Sequence, residues 1–153
     1  VLALAVIAIT AQAQDNAKAC RGLSQQSNAT APSVQTLARE GGLVYLFAHR
    51  QRVAQPYACA SYYLDHGLNI NAKDPRPGYR PLTALTYAIR QNDPRLTRFL
   101  IQKGASLYKP ADRAGLKPLA YAYHLAVKYT SVNRNTVIGI LSDALDRQER
   151  KSR

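Results

Sequence analysis

One short plan occurs twice in this chain, and it limits the folds available more than any other feature. Leu64-Asp65-His66-Gly67-Leu68-Asn69-Ile70-Asn71-Ala72 runs from an apolar helix end through two polar residues to a glycine, then alternates. Leu100-Ile101-Gln102-Lys103-Gly104-Ala105-Ser106-Leu107-Tyr108 follows the same order. A glycine at that place fits the left-handed residue that closes a helix. Thr83-Ala84-Leu85-Thr86-Tyr87-Ala88-Ile89 stands before the second glycine, and Asp112-Arg113-Ala114-Gly115-Leu116-Lys117-Pro118-Leu119 opens a further unit. A chain assembled from such modules is expected to stack them, each burying its neighbour's apolar face.

Start signals agree with helices throughout. Ser33 fits an N-cap, with Val34, Leu37 and Ala38 following at helical spacing. Gly41-Gly42 breaks that run before a second apolar stretch, Leu43 to Ala48. Pro56 suits a first helical position, and Cys59, Tyr62, Tyr63 and Leu64 follow as its stripe. Asp93-Pro94 pairs a cap with a first-turn proline, ahead of Leu96, Phe99 and Leu100. Another helix is expected from Pro118, with Leu119, Ala122 and Ala126 on one face. Asn135 is expected to cap a last helix carrying Ile138, Leu141, Ala144 and Leu145. The fold class read from these signals is all-α.

The modules resemble the ankyrin repeat. Thr83, Ala84, Leu85 and Thr86 take the places of that family's Thr-Pro-Leu-His, and Gly104-Ala105 take those of its closing Gly-Ala. Asp112, Gly115, Pro118 and Leu119 match in the next unit, where Lys117 replaces Thr and Ala120 replaces His. Gly67, Ile70, Asn71 and Ala72 match the closing half of the earlier one. The likeness covers roughly residues 56 to 126, and no unit keeps the family histidine. The Gly67-to-Gly104 interval exceeds the family period of ~33 residues by about four. The excess predicts an enlarged loop at Asp74-Pro75-Arg76-Pro77-Gly78-Tyr79-Arg80. The resemblance implies a helix-turn-helix solenoid of about three repeats over residues 33–153, with helical caps.

It also implies where a partner would be met. Carried over by position, the turn surface is Arg76, Tyr79 and Arg80, then Arg113, Leu116 and Lys117. The exposed face of the inner helices is Tyr87, Arg90 and Gln91, then Tyr121 and His124. Arginine and tyrosine are enriched among residues that dominate binding energy.

The first thirteen residues read differently from the rest. Val1 to Ile9 are all apolar, and Ala11-Gln12-Ala13 follows as a small-x-small signature. This fits the apolar region and cut site of a secretory signal peptide, with the mature chain starting near Gln14. The competing reading is a buried apolar helix or strand. Residues 14–32, rich in Gln, Asn, Ser, Thr and Ala, predict an arm with little fixed structure beyond Cys20. Export implies an oxidising compartment, in which the only two cysteines, Cys20 and Cys59, have one possible intramolecular pairing. Two free thiols are the alternative.

The net charge is +12, and none of it lies in the leader-like segment. Such a field favours acidic partners. Another protein with an acidic face is the expected partner. Nucleic acid is not expected after export, and membrane association is compatible but not required. The ten tyrosines suit a binding surface, since each combines an apolar ring with a polar tip.

No catalytic or metal-binding pattern stands out. His49, His66 and His124 lack ligand spacing with one another or with the cysteines. His66 precedes Gly67, where it suits a helix C-terminus. Asp65, Asp74, Asp93 and Asp112 read as helix-end or turn residues, and no nucleophile elbow or phosphate loop occurs. The chain is therefore expected to be no enzyme and to need no cofactor or metal. A small, basic, exported repeat module fits a periplasmic immunity protein that binds and neutralises a secreted antibacterial toxin, such as a phospholipase. The alternative is a periplasmic scaffold or stress-related factor supporting another envelope protein.

Overall fold

Regular structure in the computed structural model, which describes residues 18–23 and 31–153, is helical throughout those residues. The expected leader, residues 1–13, lies outside the described residues, as do residues 14–17 and 24–30 of the expected arm. Seven α-helices are present among the described residues: α1 (Val34–Arg39), α2 (Gly42–Ala48), α3 (Pro56–Asp65), α4 (Ala84–Gln91), α5 (Pro94–Gln102), α6 (Pro118–Lys128) and α7 (Asn135–Lys151). The chain divides into two compact units. The first holds α1 to α3 and the segment Asp74–Tyr79; the second holds Ile70–Lys73 and α4 to α7.

In the first unit α2 packs on both α1 and α3. Ser33 caps α1, its Oγ accepting from the Thr36 N–H at 3.1 Å. Leu43 to Phe47 are all buried, so α2 is covered on every side. Tyr63 on α3 is wholly buried, and its hydroxyl donates to the Pro32 carbonyl at 2.7 Å. Burial, followed by the nearby Tyr62 and Glu40, raises the Tyr63 phenol above its ordinary pKa. The outer members of the expected α3 stripe, Tyr62 and Leu64, are only half-buried; Ala60 takes the inner position with Cys59 and Tyr63.

Cys20 and Cys59 form a disulfide, with Cα atoms 4.9 Å apart and both residues buried. Backbone pairing supports the same contact. The Gln55 N–H donates to Ala19 O and the Ala54 N–H to Arg21 O, each at 2.9 Å. Gly22 follows Arg21 at φ +87°, where a Cβ would fall 1.8 Å from Arg52 O. No side chain fits there without moving backbone, so the chemistry of this staple includes the glycine. The sequence explains the covalent bond; the backbone bonds that dock residues 19–21 have no sequence signature.

The second unit is built on capped helices. Thr83 caps α4 through Oγ1, which accepts from the Thr86 N–H at 3.2 Å. Asp93 caps α5, its Oδ1 accepting from the Leu96 N–H at 2.9 Å, with Pro94 at the first turn. α4 packs on α5 and α6, and α7 packs on α5 and α6. Leu85, Ile89, Leu96, Leu100 and Leu141 are almost wholly buried there. Each such side chain contributes roughly 1.5–3 kcal/mol relative to exposure. The last helix is entered differently from the sequence expectation. Asn135 is its first residue and does not cap it; the Asn133 Oδ1 accepts from the Asn135 N–H at 2.9 Å. Val137, absent from the expected stripe, is buried with Leu141 and Ala144.

Helix ends repeat one geometry. After α3 the Leu68 N–H donates to Tyr63 O at 2.9 Å, and the Gly67 N–H to Leu64 O at 3.1 Å. After α5 the Ala105 N–H donates to Leu100 O at 2.9 Å, and the Gly104 N–H to Ile101 O at 3.0 Å. Gly67 and Gly104 have φ +92° and +90°. Both are Schellman closures, and α4 ends in a third, with Asn92 in place of glycine at φ 53°. His66 Nδ1 lies 2.7 Å from Tyr62 O, the distance of an N–H donating to a terminal helix carbonyl. Past the glycines, the Asn71 Oδ1 accepts from the Ser106 N–H at 2.8 Å and the Asn71 carbonyl accepts from Lys109 Nζ at 2.8 Å, both within the second unit.

Candidate binding groove

A groove of about 980 Å³ opens in the second unit. Three kinds of segment form its walls. The connections between helices supply Lys73, Arg80 and Arg113; α4 and α6 supply Arg90, Tyr121, His124 and Lys128; the stretch before α7 supplies Tyr129, Val132 and Arg134. Local chemistry fixes the 111–116 turn that carries Arg113. The Ala111 N–H donates to Leu116 O at 2.7 Å, the Asp112 Oδ1 accepts from the Leu116 N–H at 2.9 Å, and Gly115 takes φ +81°. Arg113 is thereby held exposed at a turn tip.

Arg134 is the buried cation of the wall, 7% exposed. Its Nη1 donates to Ile89 O at 2.7 Å and its Nη2 approaches Arg90 O at 3.5 Å, while its Nε has no partner among the described residues. It therefore adds a second donor to Ile89 O, which already accepts from the Asn92 N–H at 3.1 Å, at the C-terminal end of α4. Asn92, in the same helix end, donates from Nδ2 to Asn133 O at 2.9 Å. The two residues before α7 thus close α4.

The charge of the lining is one-sided. Six cations, Lys73, Arg80, Arg90, Arg113, Lys128 and Arg134, face a single carboxylate, Asp112. Among the described residues none of Lys73, Arg80, Arg90, Arg113 and Lys128 forms an ion pair. Low-dielectric walls and clustered charge of one sign concentrate a field and attract anions.

Of the surface expected from sequence, Arg80, Arg90, Arg113, Tyr121 and His124 meet in this groove. Tyr87, Gln91, Leu116 and Lys117 belong to the same unit but stand outside its lining. Lys117 instead lies over the Tyr108 ring, its Nζ 5.6 Å from the centroid. Arg76 and Tyr79 belong to the first unit. There Arg76 is occupied: its Nε donates to Asp74 Oδ1 at 2.9 Å and its Nη2 to Asp74 Oδ2 at 2.6 Å. The guanidinium also stacks 4.0 Å from the Tyr79 ring centroid and 5.4 Å from that of Tyr45. A Cβ on Gly41 would fall 2.8 Å from its Nε.

Titration follows from that geometry. Burial acts to raise the Asp74 carboxyl, but the hydrogen bonds and charge of Arg76 outweigh it and hold the carboxyl below its usual range. The hydrogen bonds to Asp74 in turn raise Arg76.

Sequence reasoning missed Lys73, Lys128, Tyr129, Val132 and Arg134. Lys73 directly follows Ala72, and an alternating segment does not reveal which way a lysine faces. Lys128 ends α6, and the others fall in the stretch joining the last two helices, where no module pattern applies.

No family model matches the chain, and no curated protein matches it. Among the described residues, no group of three or more His, Cys, Asp or Glu side chains is placed to hold a metal ion, and no helix is long and apolar enough to cross a membrane.

Proposed function

We propose that the chain is an exported binding module of ankyrin type that acts by covering an acidic surface on another protein. The observation that carries this reading is the groove, which gathers Arg80, Arg90, Arg113, Tyr121 and His124 around a lining nearly free of carboxylate. Repeated Schellman closures, the Thr83 cap and the Asn71–Ser106 bond between successive turns support the repeat assignment. The disulfide supports an oxidising compartment, with residues 1–13 read as the leader, cut near Ala13, and the periplasm as the destination.

The specific role proposed is immunity: the module binds and neutralises a secreted antibacterial toxin such as a phospholipase, without catalysis of its own. Blocking a surface needs shape and charge only, and both reside in the second unit. Fold alone fixes no function, so the test is functional. A secreted phospholipase encoded beside this chain should be lethal when sent to the periplasm and harmless when the full chain is exported with it. The purified pair should elute as one complex with lipase activity suppressed. Unchanged killing, together with separate elution, would overturn the reading.

A further inference from the structure

The cations of the groove fall into two sets. Arg90 and Lys128 stand in the last turns of α4 and α6, and Arg134 donates to the closing carbonyls of α4. Helix C-termini carry partial negative charge, so these three already have counterparts. Lys73, Arg80 and Arg113 stand on the connections between helices, outside any helix end. Asp112 offsets one of them at most, which leaves the turn side of the groove with unbalanced positive charge.

The lining also holds partly uncovered apolar side chains. Tyr129 is 46% exposed and Val132 39%. A compact anion would meet the turn cations and leave these side chains wet. A chain carrying carboxylates on one side and apolar groups on the other would meet both. An extended segment has that form, because its side chains alternate between two faces.

We infer that the groove receives an extended acidic–apolar segment of a partner protein, its carboxylates on Lys73, Arg80 and Arg113 and its apolar side chains against Tyr129 and Val132. This deepens the binding-module reading and rests on it. Guanidinium groups suit the task because their planar forks match a carboxylate with two parallel hydrogen bonds. The spread of the three cations over two connections, Lys73 and Arg80 between α3 and α4 and Arg113 between α5 and α6, selects a segment with spaced acids.

The probe is a labelled peptide of alternating glutamate and leucine, titrated into the full chain and followed by fluorescence anisotropy. Its glutamine counterpart serves as the uncharged control. The glutamate peptide should bind, more tightly at low salt, and the glutamine peptide should not. The Arg80→Ala/Arg113→Ala variant should weaken binding about tenfold, the sum of two partly exposed pairs. Lys103→Ala/Arg147→Ala removes the same charge from exposed positions outside the groove. It should weaken binding less than about twofold, as expected for distant charges screened by salt. Three results would overturn the inference: no peptide binding, equal loss in the control variant, or displacement of the peptide by phosphatidylglycerol vesicles bound through Arg80 and Arg113. The whole toxin separates this inference from the reading beneath it. A toxin held equally by the wild type and the Arg80/Arg113 variant would sink the groove assignment and leave the binding module standing. Peptide binding without any toxin complex would leave the groove assignment standing and sink the immunity role.

Discussion

Arg76 and Arg80 lie four residues apart in one loop, yet they belong to different units and have opposite fates. In the first unit Arg76 is bidentate on the buried Asp74, stacked on Tyr79 and pressed against Gly41. In the second unit Arg80 is exposed, lines the groove and forms no ion pair among the described residues. The same residue type is structure in one place and available charge in the other. The deciding factor is a carboxylate two residues upstream, because a short separation lets the Asp74 side chain reach both the backbone N–H and the guanidinium of Arg76. The units differ in the same sense overall: the first is held by a covalent staple and a paired arginine, the second by caps, apolar contacts and like charges left open.

The disulfide gives the largest expected effect and tests the first half of that contrast. Closing a 39-residue separation stabilises by roughly 4 kcal/mol on the chain-entropy model. Cys20→Ser/Cys59→Ser should lower the denaturant midpoint accordingly, and hydrogen exchange should rise most in α2 and α3. Equal acceleration in α4 to α7 would break the distinction between a stapled unit and a capped one.

Next comes the Asp74–Arg76 pair. Asp74→Asn removes the charge and turns an amide N–H₂ or a single oxygen toward Arg76, which should destabilise by about 2 kcal/mol, the scale of hydrogen bonds to a charged group. The pH dependence has a definite sign. A carboxyl held low in the fold stabilises above its unfolded pKa, near pH 4, and that contribution is lost as pH falls through the folded value. The wild type should therefore lose more stability than Asp74→Asn on acidification below about pH 4. Parallel acid profiles would mean that the pair is ornamental and that Arg76 is as available as Arg80.

A smaller effect is expected at the repeated helix closures. Gly104 has open space around its missing Cβ, so only backbone strain opposes a side chain there. Gly104→Val should destabilise by about 1–2 kcal/mol, the left-handed penalty for an L-residue. A variant that melts like the parent would remove Gly104 from the capping role.

These closures were the most legible part of the molecule. Glycine after an apolar helix end has one common use, and Ser33, Thr83 and Asp93 cap as their side chains dictate. Helix class could be reached from such local rules, the staple from the leader-like segment and the count of two cysteines, and five groove residues from positions carried over from the ankyrin resemblance. The rest depended on long-range geometry. Nothing local in Arg134 shows that it reaches back to Ile89 O, 45 residues earlier, or that Asn92 meets Asn133. Nothing in Gly22 announces Arg52 O. Asp74 read as a turn residue, and its i to i+2 spacing to Arg76 was the one available hint that the arginine was engaged.

The smallest stability effect is the sharpest test of the opening contrast. Arg80→Ala removes an exposed side chain with no ion pair among the described residues, so unfolding free energy should change by less than about 0.5 kcal/mol. Arg76→Ala should cost more, because it leaves Asp74 buried without its donors. Binding should invert the order. Loss of Arg80 removes a charge from the groove and should slow association with an acidic partner, most at low salt. Loss of Arg76 should leave association nearly unchanged at matched folded fraction, since its charge is already neutralised by Asp74. Denaturation and stopped-flow association measured on both variants give four values. Matching ranks in the two experiments would mean that pairing does not divide structural from functional arginine in this loop. Opposite ranks would show that a carboxylate two residues away is enough to do so.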